Sequence, residues 1–167
     1  MRRSQSDVYS ANVSKFPRTP QRFDTLYIRD PLYFITCCTY RRRHLLATSD
    51  AHDTFTRFAE RGDADFGIAV GRDVILPDHL HFFVSLGEDK YLGQWIGMLK
   101  RTISKVVKPY GSSDPVWQRG FFDHVMRSTE SYSQKWDYVR DNPVRAGLAK
   151  TADDWPYCGE IVQIAYN

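Results

Sequence analysis

Two histidines one residue apart, His79 and His81, stand in the apolar run LPDHLHFFVSL (76 to 86). Side chains on a strand alternate, so Leu80, Phe82, Val84 and Leu86 line one face and His79, His81, Phe83 and Ser85 the other. The continuous apolar set belongs under helices, which leaves both imidazoles projecting from the opposite face, close enough for two nitrogens to meet one cation. Two hydrogen-bonded surface histidines would give the same pattern, and a metal site needs further ligands. A second pair lies in TESYSQKWDYVRDN (129 to 142). At about 100° per residue, Tyr132, Trp136 and Val139 form a compact apolar face, while Tyr138 and Asn142 stand together away from it. Such an i, i+4 pair presents a phenol and an amide oxygen to one point. A packing tyrosine and a helix terminator before Pro143 are the plainer alternatives, and the residue before a proline avoids helical angles.

The elements that would position these residues follow from the remaining patterning. LYFITCCTYRR (32 to 42) is dense in aromatic and β-branched residues and reads as a strand. SDAHDTFTRFAERG (49 to 62) opens on Ser49 as N-cap, groups Phe55, Phe58 and Ala59 on one face, and predicts a helix ending at Gly62. FGIAVGRDVIL (66 to 76) and HLHFFVSL (79 to 86) are strand-like runs separated by Pro77 and Asp78, which calls for a tight antiparallel turn. From residue 91 to 108, Leu92, Trp95, Ile96, Leu99, Ile103 and Val106 recur at helical spacing beside Lys100, Arg101, Lys105 and Lys108, giving a basic amphipathic helix. GFFDHVMR (120 to 127) reads as a fourth strand and 129 to 142 as a third helix stopped by Pro143. The predicted order is β-α-β-β-α-β-α. Its first six elements define an α+β, ferredoxin-like (RRM-like) sheet with helices on one face and the other free to bind, followed by a C-terminal helix.

Composition narrows the function classes. The 167 residues are 42% hydrophobic and 26% charged, which suits one globular domain with a substantial core. No uncharged stretch is long enough to cross a bilayer and the N-terminus lacks a signal-like apolar centre, so a cytoplasmic protein without membrane association is expected. Cys37, Cys38 and Cys158 form neither a disulfide framework nor a zinc knuckle. The net charge of +3 is unevenly spread: residues 1 to 45 carry nine Lys and Arg against three Asp. A basic third on a near-neutral body suits a polyanion partner, although a solvated charged surface has the same composition. Residues 1–25, rich in Ser, Arg, Pro, Asn and Gln, read as a flexible basic arm, 26–157 as the domain and 158–167 as a tail.

With these residues assembled, the chain resembles the REP-associated tyrosine transposases, HUH (His-hydrophobic-His) endonucleases related to the single-strand transposases of small insertion sequences. The matching motifs are LPDHLHFFVSL, LGQWIGMLKR, VWQRGFFDHVMR and, above all, DYVRDNPVRAGLAKTADDWPY, which stand in family order over residues 26 to 157. Val139 occupies a position that is usually isoleucine. The resemblance implies that His79, His81 and Asn142 hold a divalent ion, Mg²⁺ or Mn²⁺, and that Tyr138 is the nucleophile of a single-stranded DNA endonuclease and strand transferase. Its substrate would be a hairpin-forming palindromic repeat and its intermediate a 5′-phosphotyrosine. Lys135 and His124 are candidate general bases, and Arg41, Arg42, Arg43, Lys100, Arg101 and Lys105 candidate phosphate contacts. A monomer or a homodimer is compatible with the sequence. Three other functions fit the same element order: an RNA-binding module, a metal nuclease in which water attacks, and a domesticated repeat-binding protein. RGFFDHVM (119 to 126) matches the RNA-recognition signature at Arg119, Gly120 and Phe121 and departs from it at the next five positions.

Overall fold

The computed structural model describes residues 25–28, 31–87 and 91–166. The arm expected over residues 1–25 lies outside them apart from Thr25, which opens a short strand. In chain order the elements are β1 (Thr25–Ile28), β2 (Leu32–Cys38), α1 (Ser49–Phe66), β3 (Ile68–Leu76), β4 (His79–Leu86), α2 (Leu92–Val107), β5 (Phe122–Met126), α3 (Thr129–Arg140), α4 (Asn142–Arg145), β6 (Cys158–Glu160) and β7 (Gln163–Tyr166). From β2 to α3 this is the predicted β-α-β-β-α-β-α order. The main sheet runs β5-β2-β4-β3-β6, so its first four members have the ferredoxin-like arrangement, with all neighbouring pairs antiparallel.

Burial explains why the helices lie where they do. Ile35, Cys37, Leu80, Phe82 and Val84 form one sheet face and pack against Ala51, Phe55 and Ala59 of α1 and Trp95, Ile96, Leu99 and Ile103 of α2. Each fully buried large side chain contributes about 1.5–3 kcal/mol, so this face anchors both helices. Helix α1 runs one turn past its expected end at Gly62. A Cβ there would come 2.7 Å from the Ile68 carbonyl oxygen and 3.5 Å from the Trp95 ring. Gly62 therefore permits close packing within the helix. The chain turns instead at Gly67, whose φ of +62° suits a residue without a Cβ.

The second face departs from the expectation of an open sheet. Leu32, Phe34, Val74, Leu76 and Phe83 on that face are covered by Tyr132 and Val139 of α3 and by Ile164 of β7, with Trp136 and Trp155 at the margin. The register between β3 and β4 shifts between Val70 and Asp73, a bulge that exchanges the faces along β3. Val70 therefore faces α1 and α2 as Ile75 does, whereas Val74 faces α3. Residues assigned to a tail add β6 to the sheet edge, and β7 pairs in parallel with β1. Where β6 crosses β3, Gly159 lies against a buried pair, His52 Nε2 and Asp73 Oδ2, 3.4 Å apart. Burial holds the Asp73 carboxyl above its ordinary value, against the opposing influence of His52.

Candidate active site

Strand β4 lies between β2 and β3, so its backbone is hydrogen-bonded on both edges and its side chains are fixed to the pleat. His79 and His81 emerge on the α3-bearing face, their rings 4.7 Å apart and nearly perpendicular. Each ring is oriented through Nδ1. His79 Nδ1 lies 2.6 Å from Asp78 Oδ1, and Arg42 Nε donates to Asp78 Oδ2 at 2.7 Å. Arg42 Nη2 also stands 3.3 Å from that His79 nitrogen. The shorter contact decides the tautomer: Nδ1–H donates to the carboxylate. His81 Nδ1 is 2.8 Å from Thr36 Oγ1, and its ring stacks on Phe34 with centroids 5.1 Å apart.

The electrostatics favour neutral imidazoles. Burial pushes His81 down to about 3, with smaller contributions from His79, Lys135 and Arg42 and with the Ile35 backbone acting the other way. Burial also holds His79 below its ordinary value, against the pull of Asp78. Burial would raise Asp78, but its bonds to His79 and Arg42 outweigh that and keep the carboxyl below the usual range. At His79 the proton on Nδ1 leaves the Nε2 lone pair available to a cation, and His81 offers the same when its Nδ1–H donates to Thr36 Oγ1, the arrangement in which a second hydrogen bond orients a metal-ligating histidine. The donor chemistry thus fits a divalent ion. Among the described residues no group of three His, Cys, Asp or Glu side chains is placed to hold one.

Helix α3 begins at Ser128, whose hydroxyl accepts from the Ser131 backbone N–H. Its apolar side meets the sheet through Tyr132, whose ring stands edge-on to Phe83 with centroids 4.7 Å apart, and through Val139. The two tyrosines of this helix are therefore unlike. Burial drives the Tyr132 hydroxyl up to about 12, whereas Tyr138 is 62% exposed. Asn142 is not the last residue of α3 as the sequence suggested. The helix stops at Arg140, and Asn142 begins α4, with Pro143 in its first turn, where the N–H that proline lacks is not needed. The pair is nevertheless joined by Arg145. Its Nη2 donates to the Tyr138 carbonyl and to Asn142 Oδ1, and its guanidinium lies 4.1 Å from the Tyr138 ring centroid.

The structure thus brings together two pairs, His79 with His81 and Tyr138 with Asn142. The link between them is Lys135, whose Nζ lies 4.7 Å from the Phe34 ring centroid while Phe34 stacks on His81. Tyr138 follows Lys135 by three residues and so projects from the same side of α3. His124 stands directly across from Phe34 on β5, so both candidate bases flank that ring. Desolvation pushes the buried Cys37 thiol up to about 12 and the half-buried Cys158 thiol to about 11, so neither competes as a nucleophile. Asp78, Thr36 and Arg145 were not singled out by the sequence. Asp78 was read only as a turn residue, although its place directly before His79 was a signal.

The basic side chains divide into two groups. Lys100 Nζ donates to the carbonyls of Gln118, at 3.1 Å, and Gly120, and desolvation lowers its pKa. Arg43 donates to the Tyr40 and Pro115 carbonyls, and Arg42 to Cys38 Sγ as well as Asp78. These three hold loops or orient His79, work that sequence could not distinguish from phosphate binding. Arg41, stacked on Tyr40, and Arg101 and Lys105 on α2 are exposed. No helix among the described residues is long and apolar enough to cross a membrane.

Comparison with known proteins bears out the resemblance. No protein-family model matches the chain. A REP-associated tyrosine transposase of Escherichia coli (strain K12) is 29% identical over 133 residues, spanning 78% of this chain and 77% of that protein. A candidate REP-associated tyrosine transposase of Haemophilus influenzae (strain ATCC 51907 / DSM 11121 / KW20 / Rd) is 34% identical over 96 residues, about half of each chain. The solved structure of a REP-associated tyrosine transposase bound to a REP hairpin matches with a TM-score of 0.64 at 24% identity, covering 87% of this chain and 81% of that one. That likeness supports the α+β fold.

Proposed function

We propose that this chain, a relative of the REP-associated tyrosine transposases, is an enzyme that cuts and rejoins single-stranded DNA beside hairpin-forming repeats, with Tyr138 as nucleophile. The observation that carries the reading is the pair of imidazoles, oriented by Asp78 and Thr36, on the sheet face over which α3 presents an exposed tyrosine.

Attack by Tyr138 Oη on phosphorus forms the phosphotyrosine bond and breaks the bond from phosphorus to the 3′-oxygen. The phenol's proton leaves as that oxygen departs and is protonated, so a 5′-phosphotyrosine and a free 3′-hydroxyl result. A later 3′-hydroxyl can reverse the exchange and join strands without ATP, because the covalent linkage retains the energy of the cut one. Tyrosine is a weak nucleophile at its ordinary pKa of about 10. A base is therefore required, and His124 and Lys135 are the nitrogen groups beside Phe34 other than His81. His79, His81 and Asn142 would hold Mg²⁺ or Mn²⁺, which supplies charge neutralisation at a non-bridging phosphate oxygen. Arg145 keeps the Asn142 amide oxygen beside Tyr138. Arg41, Arg101 and Lys105 are free to neutralise phosphates on the approach. The catalytic motifs lie within residues 26–157, β6 and β7 complete the folded unit, and the protein works in the cytoplasm.

The test is to incubate the protein with Mn²⁺ or Mg²⁺ and end-labelled single-stranded hairpin repeats from the encoding genome, then separate products on a denaturing gel. Label shifted to protein mass, absent with chelator and absent in Tyr138→Phe, is the expected result. Cleavage with no adduct would make water the nucleophile, and binding with no cleavage would leave a repeat-binding protein.

A further inference from the structure

One large aromatic near this site has no packing role. Phe122, at the start of edge strand β5, is 68% exposed, whereas its neighbour Phe121 packs against the core under the helices. Edge strands are commonly protected by charge or short length, and β5 displays both Phe122 and Val125. The register gives Phe122 a specific position. It pairs with Thr36 of β2, which pairs with His81 of β4, so Phe122, Thr36 and His81 form one row on one face. Two strand spacings separate Phe122 from His81 at the backbone, about 10 Å, a distance within reach of a base near a phosphate held at His81.

The strand that carries the ring is also anchored. Lys100 binds the carbonyls of Gln118 and Gly120, and Trp117 Nε1 donates to the Lys100 carbonyl and Ser104 Oγ at 3.0 Å each. The segment leading into β5 is thereby held to α2. Nearby cations complement a nucleic acid backbone: exposed Arg119 precedes the strand, and Lys135 stands over Phe34 in the next row.

We propose that Phe122 is a stacking platform for one unpaired base of single-stranded DNA, adjoining the phosphate to be cut. This inference rests on the function proposed above. The platform tolerates any base, because every base offers a π-face, and it fixes which phosphate sits beside the histidines through spacing along the strand. It also gives Lys100 a role as positioning residue, through the turn that carries Phe122.

The test uses the full chain with chelator present and a fluorescein-labelled hairpin repeat from the encoding genome, carrying single-stranded flanks of about eight nucleotides. Affinity is read by anisotropy for wild type, Phe122→Ala, Phe122→Leu and Phe122→Trp, each checked by thermal melting, and an abasic residue is moved through the flanks. Phe122→Ala is expected to weaken binding about tenfold, Phe122→Leu nearly as much and Phe122→Trp little. One abasic position should weaken wild type by a similar factor and have no further effect in Phe122→Ala. Affinity of Phe122→Ala within about twofold of wild type, or no abasic position whose effect depends on Phe122, would overturn the proposal. So would a wild-type dimer that Phe122→Ala dissociates at unchanged hairpin affinity, since the surface would then serve a second copy of this chain. Hairpin binding with no covalent adduct would remove the proposed chemistry but leave the platform, whereas failure of the wild type to bind would remove both.

Discussion

Lowering the pH from 7 to 5 should destabilise the metal-free protein, and His81 should account for a defined share of the loss. An unfolded histidine takes up a proton near pH 6.5, whereas burial holds folded His81 at about 3. Between these values the unfolded chain binds more protons, so stability falls as pH drops through the window and is fully present above it. The loss relative to high pH is about 0.2 kcal/mol at pH 7 and about 2 kcal/mol at pH 5. Because pH 5 lies well above the folded value, a shift of one unit in that value changes the figure little. Urea denaturation at both pH values, with chelator present, should show wild type losing about 2 kcal/mol more than His81→Gln. Glutamine keeps a polar group near Thr36 but cannot titrate. Equal losses in the two proteins would refute the burial argument, and with it the claim that the ring is held neutral for ligation.

Three other outcomes follow from the same geometry. Asp78→Asn removes the carboxylate that orients His79 and should weaken Mn²⁺ binding roughly 10- to 100-fold, read by electron paramagnetic resonance of free Mn²⁺; unchanged affinity would separate Asp78 from metal binding. Arg145→Ala removes the guanidinium over Tyr138 and the donor to Asn142, and should slow adduct formation at saturating hairpin while hairpin affinity changes by less than about fivefold, the equivalent of the 0.5–1 kcal/mol of an exposed cation–π contact. Lys100→Met leaves the Gln118 and Gly120 carbonyls without their cation and should cost roughly 1.5–3 kcal/mol in urea denaturation, a loss that a purely phosphate-binding lysine would not produce.

The sequence was most legible where one physical rule governed a segment. Alternation placed His79 and His81 opposite Leu80 and Phe82, and helical periodicity placed Tyr132 and Val139 against the sheet, because each pattern is local and each face is buried against a single layer. Legibility failed where partners are distant in the chain. Pairing of Thr25–Ile28 with Gln163–Tyr166 has no local signature, and the addition of Cys158–Glu160 to β3 depends on Gly159 fitting beside Asp73. Gly62 reads as a helix end because a glycine that stops a helix and one that admits a neighbouring backbone have the same local signature. Lys100 and Arg43 read as candidate phosphate contacts for a related reason: the carbonyls they bind belong to loops whose paths no periodicity predicts.

The position of β4 in the middle of the sheet has a dynamic consequence. Its amides are bonded to both neighbours, so they should exchange with solvent only when the whole domain opens. Helix α3 is held mainly through one side, and a local opening can release it while the sheet persists. The enzyme therefore has a static half, carrying the imidazoles, and a detachable half, carrying the phenol. On warming, the capacity to form the covalent adduct should fall before the sheet melts, and metal affinity should weaken with it, because Asn142 follows α3 and is tied to it through Arg145.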